Sequence, residues 1–173
     1  MSGHKVHGPK GVGALYIRKD LSLPPLLQGG GQERNFRSGT EGLPAIVGFG
    51  AACAAMDLKE EIAHLSALRD RCRELLSQIP QVVFLGKGDA PHVVTIAVPG
   101  LRSQGLINGL QDREIYVSAG SACAKGHRSH VMEAMGVDPR VIDGAIRISF
   151  GRENTMEDVE KLKTALEETI RSL

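Results

Sequence analysis

The sequence predicts a mixed α/β protein whose larger, C-terminal part is an α+β layer, a small sheet covered by helices. Two observations predict it. From about residue 58, short β-branched runs alternate with amphipathic stretches of helical period. Glycine and proline punctuate the joints between them, which suits short connections. With 173 residues, of which 42% are hydrophobic, the chain has enough apolar material for a real core.

Taken in order, Gly11-Val-Gly-Ala-Leu-Tyr-Ile17 reads as a buried strand closed by the charged Arg18-Lys-Asp20 turn. Leu21 to Thr40 lacks periodicity and holds Pro24-Pro25, Gly29-Gly-Gly31 and Arg37-Ser-Gly-Thr40, so it is predicted as a long ordered loop, a kind usually functional or mobile. Pro44 suits the first turn of a helix. No proline interrupts Ala45 to Ile79, and Leu58, Ile62, Leu65, Cys72, Leu76 and Ile79 form one apolar stripe. One straight helix there would run about 50 Å at ~1.5 Å per residue, so a break is expected near Met56–Leu58, with Pro80 ending the helix. Val82-Val-Phe-Leu85, Val93 to Val98, Ile115-Tyr-Val117 and Ala145 to Phe150 are predicted strands; Ser103 to Asp112 is a predicted helix. A loop from Ser118 to Ser129 leads to a helix at His130–Met135, closed by Gly136. The last helix, Thr155 to Leu173, opens on a capping box, Thr155 with Asp158, and buries Met156, Val159, Leu162, Leu166, Ile170 and Leu173.

A net charge of +1 gives no electrostatic case for nucleic acid or an anionic membrane surface. No apolar run approaches the roughly 18–20 residues of a membrane span, and no signal-peptide core follows Met1, so a cytoplasmic protein is expected. The three cysteines are widely spaced, without zinc spacing or an even disulfide set, and no metal site is expected.

Four groups can carry chemistry. Lys5 lies in Ser2-Gly-His-Lys5, followed by Gly8-Pro-Lys-Gly11. Small and polar neighbours let backbone come close to an anion, and a lysine there can form a Schiff base; the segment fits neither a P-loop nor a GxGxxG fingerprint. Cys123 sits in a run of Ser, Ala and Gly with Lys125, His127 and Arg128 just beyond, where cations favour the thiolate. Cys53 and Cys72 read instead as buried small hydrophobes. Arg147 interrupts the apolar strand Ala145-Ile-Arg-Ile-Ser149; it faces solvent by alternation or meets a carboxylate such as a substrate's. Arg37-Ser-Gly-Thr40 is an ordinary polar turn or a phosphate grip.

Ser2-Gly-His-Lys5 with Gly8-Pro-Lys-Gly11, then Gly29-Gly-Gly-Gln-Glu-Arg34, Arg37-Ser-Gly-Thr40, Gly120-Ser-Ala-Cys123 and Ile146-Arg-Ile-Ser-Phe-Gly151 follow one another in that order. Together they resemble the cysteine desulfurases, pyridoxal-phosphate enzymes of the class V aminotransferase family that supply sulfur for iron–sulfur clusters and tRNA thiolation. The resemblance covers the whole chain. It implies that Lys5 is the lysine bonded to pyridoxal 5'-phosphate, that Ser2 and His4 bind the cofactor phosphate, and that Thr40 reaches the phosphate of the other subunit in a homodimer. It further implies that Cys123 takes the substrate sulfur as a persulfide and that Arg147 holds the substrate carboxylate.

The implied fold is the C-terminal part of a fold-type I aminotransferase. Residues 1–57 would be the remnant of the large pyridoxal-phosphate domain and residues 58–173 the small α+β domain. The ring-contacting residues that precede the lysine in that family have no counterpart here, so the chain is expected to be a C-terminal half starting at an internal methionine. The implied reaction turns L-cysteine into L-alanine and passes sulfur to an iron–sulfur scaffold or a tRNA-thiolation protein. The rival readings are a selenocysteine lyase or another enzyme of the class, an inactive or complementing half with weak cofactor binding, and a cofactor-free persulfide carrier using only Cys123.

Overall fold

The computed structural model describes residues 1–119 and 129–173, which fall into two units, Met1–Asp57 and Leu58–Leu173.

In the first unit a 3-10 turn, Gly3–Val6, is followed by a left-handed His7 at φ 62° and a return to the antiparallel bridge Ser2↔Gly13. Beyond that bridge the strand expected over Gly11 to Ile17 does not form. Leu15 is 77% and Tyr16 87% exposed. Backbone pairing ends at Ala14, which exchanges hydrogen bonds with Met1. A strand needs a partner for its backbone groups and a layer for its apolar face, and among the described residues no backbone bond continues the pairing through Leu15 to Ile17. The loop over Leu21 to Thr40 is present and carries its own order, a parallel bridge Leu27↔Arg37 and a second 3-10 turn, Glu33–Asn35. Helix α1, Leu43–Ala54, has Pro44 in its first turn, as the missing N–H of proline allows. Phe49 is the buried large side chain of this helix.

Helix α2, Leu58–Leu76, is separate from α1, so the long apolar stretch does break just before Leu58. It stops a turn short of Pro80, through Ser77–Ile79 turns that bond back to Arg73, Leu75 and Leu76. The strands are β1, Val83–Leu85, and β2, Val93–Ala97, followed by helix α3, Ser103–Gln111, and strand β3, Ser118–Ala119. After residue 128 come α4, His130–Ala134, α5, Pro139–Ile142, strand β4, Ala145–Ser149, and helix α6, Met156–Ser172. Gly136 takes φ 72° immediately after α4, the left-handed conformation that ends a helix.

Two departures are local. The strand expected at Ile115–Val117 forms one step later, at Ser118–Ala119, after a left-handed Glu114 at φ 61°. Helix α5 was not foreseen: it is four residues long, started by Asp138, whose carboxylate accepts from the Arg140 N–H, and by Pro139.

The strands form a four-stranded antiparallel sheet in the order β1-β2-β4-β3. One face carries Val94, Ile96, Ile146 and Ile148 into a core with Leu68, Cys72 and Leu76 of α2, Leu106 and Leu110 of α3, and Val159, Leu162 and Leu166 of α6. Each such side chain contributes roughly 1.5–3 kcal/mol by leaving water. The two ends of the expected stripes lie outside this core: Leu58, Ile62, Met156 and Leu173 are exposed. Helix α6 opens on the expected capping box, the Thr155 hydroxyl accepting from Asp158 N and the Asp158 carboxylate accepting from Thr155 N at 2.9 Å. Across α3 and α6, Gly109 admits Thr169: a Cβ there would lie 2.5 Å from Thr169 Cγ2. The opposite face of the sheet is covered at one end, where Ala97 and Ala145 pack with Met132 of α4 and Ile142 of α5.

Candidate functional site

Lys5 is placed by backbone alone. Its N–H donates to Ser2 O at 3.0 Å, and the turn closes through Gly3 N to Val12 O at 2.8 Å and Gly8 N to Gly3 O at 2.9 Å. Glycine is required at these points because the chain passes too close for a side chain. A Cβ on Gly3 would meet Val12 Cγ1 at 2.9 Å and Pro9 O at 3.0 Å. The hairpin then rests on α1, with Pro9 against Gly48 and Gly8 against Phe49. On this fixed backbone Ser2, His4 and Lys5 are all exposed, and among the described residues their side chains form no hydrogen bond or ion pair. A hydroxyl, an imidazole and a primary amine on one turn suit an anionic carbonyl compound: the amine can bond the carbonyl carbon, the others can donate to the anion.

Thr40 lies in the same unit, exposed, two residues ahead of the Gly42 that starts α1. Its loop is braced by Gln32, whose side-chain oxygen accepts from Gly39 N at 3.1 Å, and by Ser38 N donating to Leu27 O at 3.1 Å. Glu33, Arg34 and Asn35 all take left-handed backbone, at φ 49°, 57° and 66°, a conformation costly for non-glycine residues and common in functional loops. No hydrogen bond among the described residues joins Thr40 to the Lys5 turn.

Arg147 belongs to the second unit. It is the central residue of β4, opposite Thr95 of β2 on one side and Ser118 of β3 on the other. Its neighbours Ile146 and Ile148 enter the helix-covered core, so alternation puts Arg147 on the other face, with Thr95, Ser118 and, one strand further, Leu85. Arg147 is half-buried rather than turned fully to solvent, and its Nε is buried with no hydrogen-bond partner among the described residues.

Cys123 and its Gly120-Ser-Ala-Cys123 motif lie outside the described residues. Cys72 is buried as expected, and burial pushes its thiol up to about 12. Cys53 is not buried: it is exposed on α1. Among the described residues no group of histidines, cysteines and carboxylates could hold a metal ion, and no helix is long and apolar enough to cross a membrane.

The structure thus brings Ser2, His4 and Lys5 together on one turn, holds Thr40 on a separate braced loop, and sets Arg147 in the middle of the sheet. Sequence reasoning did not single out Gln32, Thr95 or Ser118. The one signal for Thr95 was a hydroxyl inside the apolar run Val93-Val-Thr-Ile-Ala97; register with Arg147 is not visible in one sequence.

Residues 1–162 match the family model described as Aminotransferase class-V. The chain is similar to the cysteine desulfurase IscS of Methanosarcina thermophila, 41% identical over 179 aligned residues that take in 100% of this chain and 44% of that protein. It is also 41% identical to a cysteine desulfurase of Gluconacetobacter diazotrophicus, across 94% of this chain and 42% of that protein. Among solved structures, a NifS-like protein superposes with a TM-score of 0.85 at 39% identity, over 99% of this chain and 46% of that one. A NifS-like protein from Rickettsia africae superposes with a TM-score of 0.76 at 32% identity, over 88% of this chain and 41% of that one. The chain spans less than half the length of the relatives it matches.

Proposed function

Because the chain belongs to the class V aminotransferase family, we propose that it carries the C-terminal part of a cysteine desulfurase. Residues 1–57 form the closing piece of the large cofactor-binding domain and residues 58–173 the small domain. The complete enzyme is a cytoplasmic homodimer that converts L-cysteine to L-alanine. It hands the sulfur to an acceptor protein, an iron–sulfur scaffold or a tRNA-thiolation protein. A cysteine that must stay reduced between turnovers needs a reducing compartment, which supports the cytoplasmic assignment.

The observation that carries this reading is the Lys5 turn, an exposed amine beside a hydroxyl and an imidazole on backbone locked by Gly3 and Gly8. That donor set fits pyridoxal phosphate. When bound, this cofactor supplies an electron sink for bonds at the amino-acid Cα. Lys5 holds the cofactor through its amine and moves the proton at the substrate Cα. Ser2 and His4 donate to the phosphate, and Thr40 reaches the phosphate held by the other subunit. Arg147 takes the substrate carboxylate through its guanidinium. Cys123 accepts the sulfur as a persulfide, with the cations Lys125, His127 and Arg128 just after it in sequence to favour its thiolate.

Incubating the chain with pyridoxal phosphate and L-cysteine, then measuring alanine and the mass of Cys123, tests the reading. Alanine release and a persulfide on Cys123, both lost in Lys5→Ala, support it. Turnover unchanged in Lys5→Ala and Cys123→Ser contradicts it. A higher rate with selenocysteine would move the substrate to selenium.

A second reading has an observation in its favour. In Met1–Asp57 the residues Leu15, Tyr16, Leu26, Leu43 and Val47 are exposed, and Phe49 is the buried large hydrophobe among the described residues of that unit. A half that turns over only alongside the remaining length of the fold accounts for such a surface. Activity that appears only in a full-length context distinguishes it from the first.

A further inference from the structure

A phosphate at Thr40 brings charge that a threonine cannot offset, and the loop around Thr40 shows which group can. The backbone donors just before Thr40 are already spent. Ser38 N–H donates to Leu27 O at 3.1 Å, and Gly39 N–H donates to Gln32 Oε1 at 3.1 Å. Ser38 itself is half-buried against Gly29, where a Cβ would lie 3.2 Å from Ser38 Cβ. A loop that cradles an anion by backbone alone keeps successive N–H groups open toward it. This loop turns two of them on itself. The Thr40 N–H and hydroxyl make no hydrogen bond among the described residues, but both are neutral donors.

The charge stands at Arg37. Its guanidinium lies on the backbone that leads into Thr40: a Cβ on Gly39 would meet Arg37 Nη1 at 3.0 Å and Cζ at 3.9 Å. Gly39 takes φ 117°, a left-handed conformation that glycine adopts freely, so one residue both turns the chain and clears room for the guanidinium. Arg37 is exposed, and among the described residues no carboxylate pairs with it, neither Glu33 nor Glu41 of the same stretch. A phosphate monoester carries about −1.5 to −2 near neutral pH. A guanidinium meets two of its oxygens at once, in a planar fork that neither a hydroxyl nor a lysine reproduces.

Resting on the reading of Thr40 as a phosphate contact, we infer that Arg37 is a second one, and that Arg37 and Thr40 together grip a phosphate monoester presented from outside this chain. Arg37 supplies the charge and the forked contact, and Thr40 supplies the neutral donors. Gln32, by occupying the Gly39 N–H, fixes the backbone between them.

Inorganic phosphate, titrated into the full 173-residue chain at constant ionic strength, is the probe. The Thr40 amide and the Arg37 Nε–H resonances are the readouts, and both are expected to shift along one binding curve. Arg37→Gln keeps a polar side chain and removes the charge. It is expected to weaken phosphate binding at Thr40 about tenfold, the loss of one charge-assisted contact. Arg37→Lys, which keeps the charge without the fork, should fall between the two. Unchanged exchange protection of the Gly39 amide shows that the loop is intact in both variants. Wild-type phosphate affinity in Arg37→Gln, with Thr40 still responding, overturns the role of Arg37 and leaves the Thr40 reading standing. A Thr40 amide that ignores phosphate in the wild-type chain overturns that reading, and this inference with it.

Discussion

Pro9 rests directly on Gly48: a Cβ at Gly48 would lie 2.7 Å from Pro9 Cγ and 3.2 Å from Pro9 Cδ. Pro9 is backbone-bound to the hairpin that presents Lys5, so α1 positions the amine through a contact between a rigid ring and the absence of a side chain. Gly48→Ala is therefore expected to lift the hairpin from α1. Overpacking of this kind costs about 1–3 kcal/mol. Hydrogen exchange checks it: the Gly3 and Gly8 amides, which bond Val12 O and Gly3 O, should lose protection. Unchanged protection would mean that α1 does not hold the turn.

Gly109 and Thr169 make the matching contact between α3 and α6, and Thr169 Oγ1 is buried without a hydrogen-bond partner among the described residues. Gly109→Ala is expected to destabilise the second unit by roughly 1–3 kcal/mol. Thr169→Ala in the same chain removes the clashing methyl and sacrifices no hydrogen bond, so the double variant should recover most of the loss, a coupling that a double-mutant cycle in urea measures. Additive losses would show that the two residues do not meet.

The capping box ties α6 to pH. Bonds from the Thr155 backbone, then from Asn154 and the Thr155 side chain, hold the Asp158 carboxyl below its ordinary range. A carboxyl lowered in the folded state adds stability above its unfolded pKa, and that stability is lost as pH falls through the folded value. Asp158→Asn should lower stability near neutrality, and progressively less on acidification. A difference between the two proteins that stays constant with pH would remove the carboxylate from the cap.

Cys72 titrates the other way. Burial pushes its thiol up to about 12, with Arg73 opposing weakly. The folded state therefore keeps its proton where an unfolded thiol, at about 8.5, has lost it, so stability is complete below that value and declines as pH rises toward 12. In thiol labelling at neutral pH, exposed Cys53 should react at once and Cys72 only on unfolding. Prompt labelling of Cys72 would contradict the core described above.

Legibility followed range. The Thr155–Asp158 cap and the Gly136 helix stop are local chemistry and were readable from neighbouring residues. Strands β2 and β4 were readable because β-branched residues fill them. The strand expected over Gly11 to Ile17 has the right composition, but a strand exists only with a partner, and composition does not reveal one. Cys53 was misread because Ala51, Ala52, Ala54 and Ala55 surround it, and a helix of small apolar residues has no contrast to tell its inner face from its outer. At the candidate site, Lys5 announced itself through its flanking motif. The orphaned Nε of Arg147 and the hydroxyls of Thr95 and Ser118 beside it depend on register between distant strands, which no single segment encodes.

The central claim is that Lys5 is the cofactor lysine, and borohydride reduction in the presence of pyridoxal phosphate, followed by peptide mass mapping, tests it most directly. Reduction traps even weakly held cofactor, so the chain can be used as it stands. The expected result is a phosphopyridoxyl group concentrated on Lys5 and absent from that peptide in Lys5→Ala, with Lys10 and Lys19 labelled far less. Label spread evenly over Lys5, Lys10, Lys19 and the other lysines would contradict it.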